Sequence, residues 1–390
     1  MRRMFSRRAH WNAPQNRLTL ARQSRPNLLD LTESNPTKAS ITYPLDELSE
    51  IFARAARAAY EPEPLGLRSA REALGDPDRI VITSSTSEAY GYLFKLLTDP
   101  GDAILTATPS YPLLEHLASL ELIELHSFPL EFHKRWEIER SRVAEALTPR
   151  TRAIVVVNPN NPTGSYVTPR EQDELASFGL PLISDEVFFD FPVHAEQREA
   201  STEQPRETSP SARALHRSLA ALGINSNLTF TLGGLSKSAG LPHYKLGWIR
   251  VNGPGAREAI AALELIADNY LSVATPVQTA LPELLAIAPR IRDAIRARTR
   301  ENLDSLTRAI ELAPSARLLP VEGGWSAVVR VPSIESDEEL ALRFIDECGV
   351  VVHPGYFFDF DSDGYFVVSL LTRPDVFAEG ITRVVSIIPA

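Results

Sequence analysis

The chain has 390 residues, 44% of them hydrophobic and 23% charged, enough for a large core spread over about two or three domains. Its net charge of −10, with no basic block beyond Arg2, Arg3, Arg7 and Arg8, argues against a nucleic-acid partner. No apolar run approaches the ~18 residues that span a membrane, and the first residues lack the apolar stretch of a secretory signal, so a cytoplasmic protein without membrane contact is expected.

Residues 1–45 read as polar and irregular, apart from a short strand expected at Leu28–Thr32 before Glu33-Ser34-Asn35-Pro36-Thr37. Asp46–Tyr60 carries Leu48, Ile51, Phe52 and Ala55 at helical spacing, and Arg68–Leu74 reads as a second short helix. From Ile80 the pattern alternates between strands and helices, which predicts a mostly parallel sheet. Strands are expected at Ile80–Thr83, Ala103–Ala107, Leu122–Ser127, Arg152–Val157, Leu180–Ser184 and Leu228–Leu232, with helices at Thr86–Thr98 and Leu113–Leu120. The Val, Ile and Leu runs suit strands covered on both faces. Residues 193–227 read as a polar insertion with Pro205 and Pro210. Helices are predicted at Arg257–Ala267 and around Pro282–Ala313. An α+β end follows, with strands at Ser326–Val331, Val350–His353 and Phe366–Leu370 and helices at Asp337–Cys348 and about Pro374–Ile388. Cys348, the only cysteine, excludes an intrachain disulfide and follows Phe344 and Ile345 as a buried structural thiol would.

Ligands of doubly wound sheets gather at the carboxyl ends of the strands, and here those ends carry a short polar set. Ile80–Thr83 leads into Ser84-Ser85-Thr86-Ser87. These are either plain capping hydroxyls or, with the free amides of a helix start, a phosphate site. Tyr111, fixed between Pro109 and Pro112, is a turn or core residue or a plate against a planar ring. Asn158-Pro159-Asn160-Asn161-Pro162-Thr163-Gly164 is a rigid turn carrying amide donors. Asp185 ends a buried strand, where a carboxylate is costly unless it meets a cation. Lys237, after Gly233-Gly234-Leu235-Ser236, is either a solvated loop lysine or a desolvated, nucleophilic amine. The set fits a phosphorylated aldehyde with a cationic ring nitrogen. No Gly-x-Gly-x-x-Gly follows a strand, which argues against a dinucleotide-binding protein, and no metal site is expected.

These residues fall into stretches that resemble a fold-type I, pyridoxal-phosphate-dependent aminotransferase of the class I/II superfamily. The stretches are YEPEPLGLRSAREAL (Tyr60–Leu74), TSSTSEAY (Thr83–Tyr90), PSYP (Pro109–Pro112), NPNNPTG (Asn158–Gly164), SDEVF (Ser184–Phe188), SKSAGLP (Ser236–Pro242) and VVVHPGYFF (Val350–Phe358). They occur in family order and cover roughly residues 28–385. The resemblance implies a three-layer α/β large domain with a mostly parallel sheet over 46–280, and a smaller α+β domain from 1–45 and 281–390. It also implies that Lys237 holds pyridoxal 5'-phosphate as a Schiff base and shuttles a proton, while Asp185 keeps the ring nitrogen protonated. Asn161 would bond the ring's phenolate oxygen and Tyr111 would stack on the ring. Ser85, Thr86, Ser87, Ser236 and Lys245 would contact the phosphate. Tyr60 would reach across a homodimer interface to the partner's phosphate, and Tyr270–Thr275 would line the partner's site.

The chain departs from the family's pattern at several points. Phe188 stands where a tyrosine usually donates to the phenolate oxygen, which should raise the pKa of the lysine–cofactor linkage. Lys245 replaces an arginine and so loses its two-pronged grip, and Gly234 replaces a serine. Tyr365-Phe366-Val367 holds no arginine for a substrate α-carboxylate. Arg373 is either a displaced substitute or a plain residue at a helix start, and Asn35 is a further candidate substrate contact. The loop Leu74-Gly75-Asp76-Pro77-Asp78 is short for the family. The expected activity is transfer of an amino group between an amino donor and a keto acid or aldehyde. A lyase or decarboxylase on the same scaffold is the alternative, and substrates without a carboxylate would explain the missing arginine. A pyridoxal-phosphate-binding regulatory protein is a remote reading, because the residues before 28 are too few for a helix-turn-helix domain.

Overall fold

The computed structural model describes residues 4–9, 11, 13–193, 218 and 226–388. The polar insertion expected over 193–227, Pro205 and Pro210 included, lies almost wholly outside the described residues. In chain order the strands are β1 (Leu29–Asp30), β2 (Ile80–Thr83), β3 (Ala103–Thr108), β4 (Glu124–Pro129) and a small hairpin of β5 (Glu131–Phe132) and β6 (Trp136–Glu137). Then come β7 (Thr151–Val157), β8 (Leu182–Asp185), β9 (Thr229–Gly234) and β10 (Gly247–Asn252). The C-terminal part holds β11 (Arg317–Leu318), β12 (Ser326–Arg330), β13 (Val350–Val351), β14 (His353–Pro354) and β15 (Tyr365–Ser369).

One sheet runs in the order β2-β10-β9-β8-β7-β3-β4, parallel throughout except for β10, which is antiparallel to both neighbours. Every residue of β2, β8 and β9 is buried, as continuous apolar strands covered on both faces require. Alternation along β2 shows the two layers. Ile80 and Ile82 pack with Leu48, Ile51 and Leu281, whereas Val81 packs with Tyr90, Leu93 and Leu263. Strand β10 is absent from the expected series. Its Gly247, Ile249 and Val251 are buried but Trp248, Arg250 and Asn252 are not, so it lacks the unbroken apolar run of its neighbours.

The long helix starts at Thr275 rather than near Pro282 and ends at Ile310. Several prolines compete as the start signal. Pro276 sets it, since proline in a first turn gives up no hydrogen bond, and Pro282 and Pro289 are carried inside. The N-terminal stretch is not irregular throughout: Arg17–Ser24 is a helix, its start capped by Asn16 Oδ1 accepting from the Thr19 N–H at 2.7 Å. Only Leu18 is buried there, too thin a pattern to mark a helix.

A second, antiparallel sheet runs β11-β12-β15-β14, and β1 pairs in parallel with β13. Its core gathers Leu31, Phe344, Phe366 and Phe377. The helix expected over Asp337–Cys348 is α-helical to Arg343 and finishes in a π turn at Phe344–Cys348. Cys348 is a buried free thiol whose Sγ–H donates to the Arg383 carbonyl at 3.3 Å. Among the described residues no helix is long and apolar enough to cross a membrane.

Gly247 fixes the loop after β2. It pairs with Thr83, and a Cβ there would stand 2.9 Å from the Ser85 carbonyl carbon and 3.1 Å from the Thr86 nitrogen. Gly247→Ala is therefore expected to cost ~1–3 kcal/mol by overpacking, read in urea unfolding. An unchanged midpoint would show that the loop gives way freely.

Candidate active site

A cavity of about 300 Å³ opens where the carboxyl ends of β2, β3, β7, β8 and β9 face strands β12, β14 and β15. It gathers Ser85, Thr86, Ser87, Tyr111, Asn161, Asp185, Ser236, Lys237 and Lys245. At one end is the start of helix Thr86–Leu97, where the Ser85 hydroxyl caps the Glu88 N–H at 3.2 Å. Among the described residues no protein group bonds the hydroxyls of Thr86, Ser87 and Ser236, and no carboxylate pairs with Lys245. An unpaired cation beside free helix-start amides is a site waiting for an anion.

Asp185 ends β8 at only 8% exposure and meets two neutral donors. Its Oδ1 accepts from the Val187 N–H at 3.2 Å and its Oδ2 from the Tyr90 hydroxyl at 3.1 Å. Burial pushes its carboxyl up to about 6, against the pull of those two bonds, and no cation among the described residues neutralises it.

Lys237, on the short helix Leu235–Ser238, donates to the Ser34 carbonyl at 3.4 Å. Its Nζ lies 5.1 Å from the Trp325 ring centre and 6.0 Å from that of Phe188. Burial brings its amine down to about 8, opposed by the Glu33 carboxylate. Asn161 Oδ1 accepts from the Ser326 hydroxyl at 3.1 Å, which leaves its amide N–H groups for a ligand. Tyr111 stands half-exposed at the cavity, tilted against Phe358 at 6.4 Å.

Three sequence candidates are not brought to the cavity. Arg373 points its guanidinium at Asp375, Nε to Oδ1 3.2 Å, at the start of the last helix, as a plain residue at a helix start would. Asn35 spends its Oδ1 on the Thr37 N–H at 3.0 Å and hydroxyl at 2.8 Å, and its neighbours Thr32 and Ser34 line the cavity instead. Tyr60 is 69% exposed and lines a separate groove with Tyr92 and Thr275.

Sequence reasoning overlooks Tyr90, Trp325 and His353. Tyr90 reads as a packing residue of its helix, yet its fully buried hydroxyl holds Asp185. Trp325 packs edge-on to Phe188 at 5.2 Å and to Phe191 at 5.1 Å under Lys237, and only the preceding Gly323-Gly324 hints at a special position. His353 lies inside a quoted stretch but carries no chemical signal of its own there.

This donor set fits pyridoxal 5'-phosphate on the chain's own terms. The unpaired Lys245 and helix start suit a phosphate, the uncompensated Asp185 suits a protonated ring nitrogen, and the desolvated Lys237 suits an aldehyde. The chain belongs to the family of class I and II aminotransferases, whose pattern matches residues 35–376. It is a pyridoxal-phosphate-dependent aminotransferase, a transferase of nitrogenous groups acting on an amino donor and a keto acid. It is similar to aspartate/prephenate aminotransferase of Thermus thermophilus, 26% identical over 353 residues that cover 84% of this chain and 82% of that protein. It is 27% identical to nicotianamine aminotransferase 1 of Oryza sativa over 245 residues, 57% of this chain but only 45% of that longer protein. The fold matches alanine aminotransferase from Pyrococcus furiosus with a TM-score of 0.81 at 21% identity, covering 95% and 94% of the two chains.

The uncompensated Asp185 has a pH signature in the cofactor-free protein. Its folded pKa lies above the usual value of about 4, so the folded state holds the extra proton, and stability falls as pH rises from about 4 to about 6. Asp185→Asn is expected to gain on the order of 3 kcal/mol over wild type across that window, read by thermal unfolding. Tyr90→Phe, which removes a donor to the ionised form, should move the window upward. A difference between wild type and Asp185→Asn that does not change with pH would refute this reading.

Proposed function

We propose that Lys237 would be the covalent attachment point of pyridoxal phosphate and the proton carrier of the transamination, with Asp185 as the partner of its ring nitrogen. The observation that carries this is the pairing of a desolvated amine and an uncompensated carboxylate in one cavity. Pyridoxal phosphate, once joined to the donor's amine, would supply the sink for the electron pair left as a bond to the amine-bearing carbon breaks.

The protein's part is placement and charge. With its amine near 8, Lys237 is unprotonated in roughly a tenth of molecules at neutral pH, far more than a solvated lysine. Its Nζ, kept dry by Trp325 and Phe188, is the base that holds the proton removed from the substrate carbon. Asp185, held ionised by Val187 and Tyr90, keeps a positive charge at the ring nitrogen. The amides at the start of helix Thr86–Leu97, the hydroxyls of Ser85, Thr86, Ser87 and Ser236, and the Lys245 ammonium hold the phosphate. Asn161 orients the ring through its amide N–H, and Tyr111 covers the ring and excludes water.

The working unit is proposed to be a homodimer. Tyr60 and Tyr270, both more than half exposed in the single chain, would then find partners across the interface. The proposed division into a large domain (46–280) and a small one (1–45 and 281–390) is supported by the two separate sheets, which meet in a shared core of residues such as Leu105, Val156, Val328 and Val367. The reduced, buried Cys348 suits the cytoplasm.

The visible spectrum of the loaded protein tests this during titration with amino donors. The expected outcome is a cofactor band that vanishes with a donor and returns with a keto acid, and whose covalent component is missing in Lys237→Ala. Release of ammonia or carbon dioxide from the donor instead would show elimination or decarboxylation at this site.

A further inference from the structure

The second sheet and the stretch after β1 give the cavity a wall that holds no cation among the described residues. Three hydroxyls on it have already committed their only hydrogen. Ser369 donates to the Glu33 carbonyl at 2.6 Å, Ser326 to Asn161 Oδ1 at 3.1 Å, and Thr32 to Asp30 Oδ1 at 2.5 Å. They keep lone pairs for a ligand and no donor. Between them stands Val367, paired in register with His353 on β14, and both line the cavity.

His353 is an unspent polar side chain of this wall, beside the buried Trp325 indole N–H and the Ser34 hydroxyl, which have no hydrogen-bond partner among the described residues. Its ring packs edge-on to Phe358 at 5.7 Å, and no hydrogen bond to its nitrogens is made by any described residue. Burial takes its imidazole down to about 4, opposed by the Asp30 carboxylate, so at neutral pH it is a neutral donor and acceptor rather than a cation. The cations lining the cavity among the described residues are Lys237 and Lys245, and both are occupied in the function proposed above. A carboxylate presented to this wall would therefore meet apolar surface, lone pairs and the neutral N–H groups of His353 and Trp325 but no cation, an unfavourable exchange for its hydration. A hydroxyl or amide N–H would find acceptors.

We propose that this wall selects an amino donor whose amine-bearing carbon carries an uncharged hydrogen-bond donor, a hydroxymethyl or carboxamide group, in place of a carboxylate, with His353 as the specificity-determining contact. The inference rests on the aminotransferase site proposed above. The transfer balances without an outside oxidant: the donor CH–NH2 becomes C=O as the acceptor C=O becomes CH–NH2. The keto acid brings a carboxylate to the same wall and is expected to be the weaker-binding partner, so the donor half is measured alone.

The test uses the cofactor-loaded protein and matched pairs that differ only at this group: 2-aminopropan-1-ol against alanine, and 2-amino-3-phenylpropan-1-ol against phenylalanine. Loss of the cofactor band under single turnover gives kcat/KM for each. The expected result is a preference of roughly tenfold or more for the amino alcohol in both pairs, since a site built around one polar group rejects its mismatch. His353→Leu should shrink that preference severalfold, and Val367→Arg, which adds a cation, should reverse it. Calorimetry with 2-amino-2-methylpropan-1-ol and 2-aminoisobutyrate, which have no hydrogen to lose from the reacting carbon, reads binding without turnover and should show the same order in wild type. If the amino acids match or exceed the alcohols in both measurements while the cofactor band forms normally, the selectivity is overturned and the aminotransferase site stands. If the band forms but no amine of either series binds or reacts, the site itself is misassigned and the inference falls with it.

Discussion

Asp185 is a carboxylate at the end of a strand buried on both faces, met among the described residues by a backbone N–H and a tyrosine hydroxyl. A charge in that position is tolerated when a cation is brought to it, and the chain supplies none among its described residues. The same holds in reverse at Lys237, whose amine sits over two aromatic rings with a carbonyl as its only hydrogen-bond partner among the described residues. Both groups are held in environments that disfavour their usual charge, which is the condition for chemistry and a cost to the empty fold. The long parallel strands and their two helical layers supply the rigidity that keeps these groups in place.

The second sheet completes the cavity rather than merely flanking it. Ser326 reaches Asn161 across the gap, and Trp325 at the head of β12 packs against Phe188 and Phe191, which follow β8. The parallel pairing of β1 with β13 brings Thr32 and Ser34 beside the same opening. Residues far apart in the chain therefore form one wall, and its chemistry differs from that of the cofactor side. The Ser85–Ser87 end holds free hydroxyls beside Lys245, whereas the β12–β15–β14 side holds no cation among the described residues.

Much of this is legible in the sequence where a single strand carries its own signal. Ile80–Thr83 and Arg68–Leu74 fall where periodicity and punctuation place them, and the strand-end residues Asp185, Asn161 and Lys237 meet in one cavity. Strand β10 is not legible, because its alternation of Trp248, Arg250 and Asn252 with buried residues resembles a loop leaving the motif. Arg373 stays open in the sequence for a related reason: distance along the chain cannot show that Asp375 takes its guanidinium. Tyr90 and His353 are invisible as site residues, since one looks like helix packing and the other gains its meaning only from Val367 across the sheet.

Borohydride reduction of the loaded protein followed by peptide mapping tests the central claim most directly, because reduction fixes the cofactor to the lysine that holds it. The pyridoxyl mass is predicted on the peptide containing Lys237, with none on that containing Lys245, the other lysine of the cavity. A label on Lys245 or elsewhere, or no label on a protein that has taken up the cofactor, would contradict the assignment of Lys237.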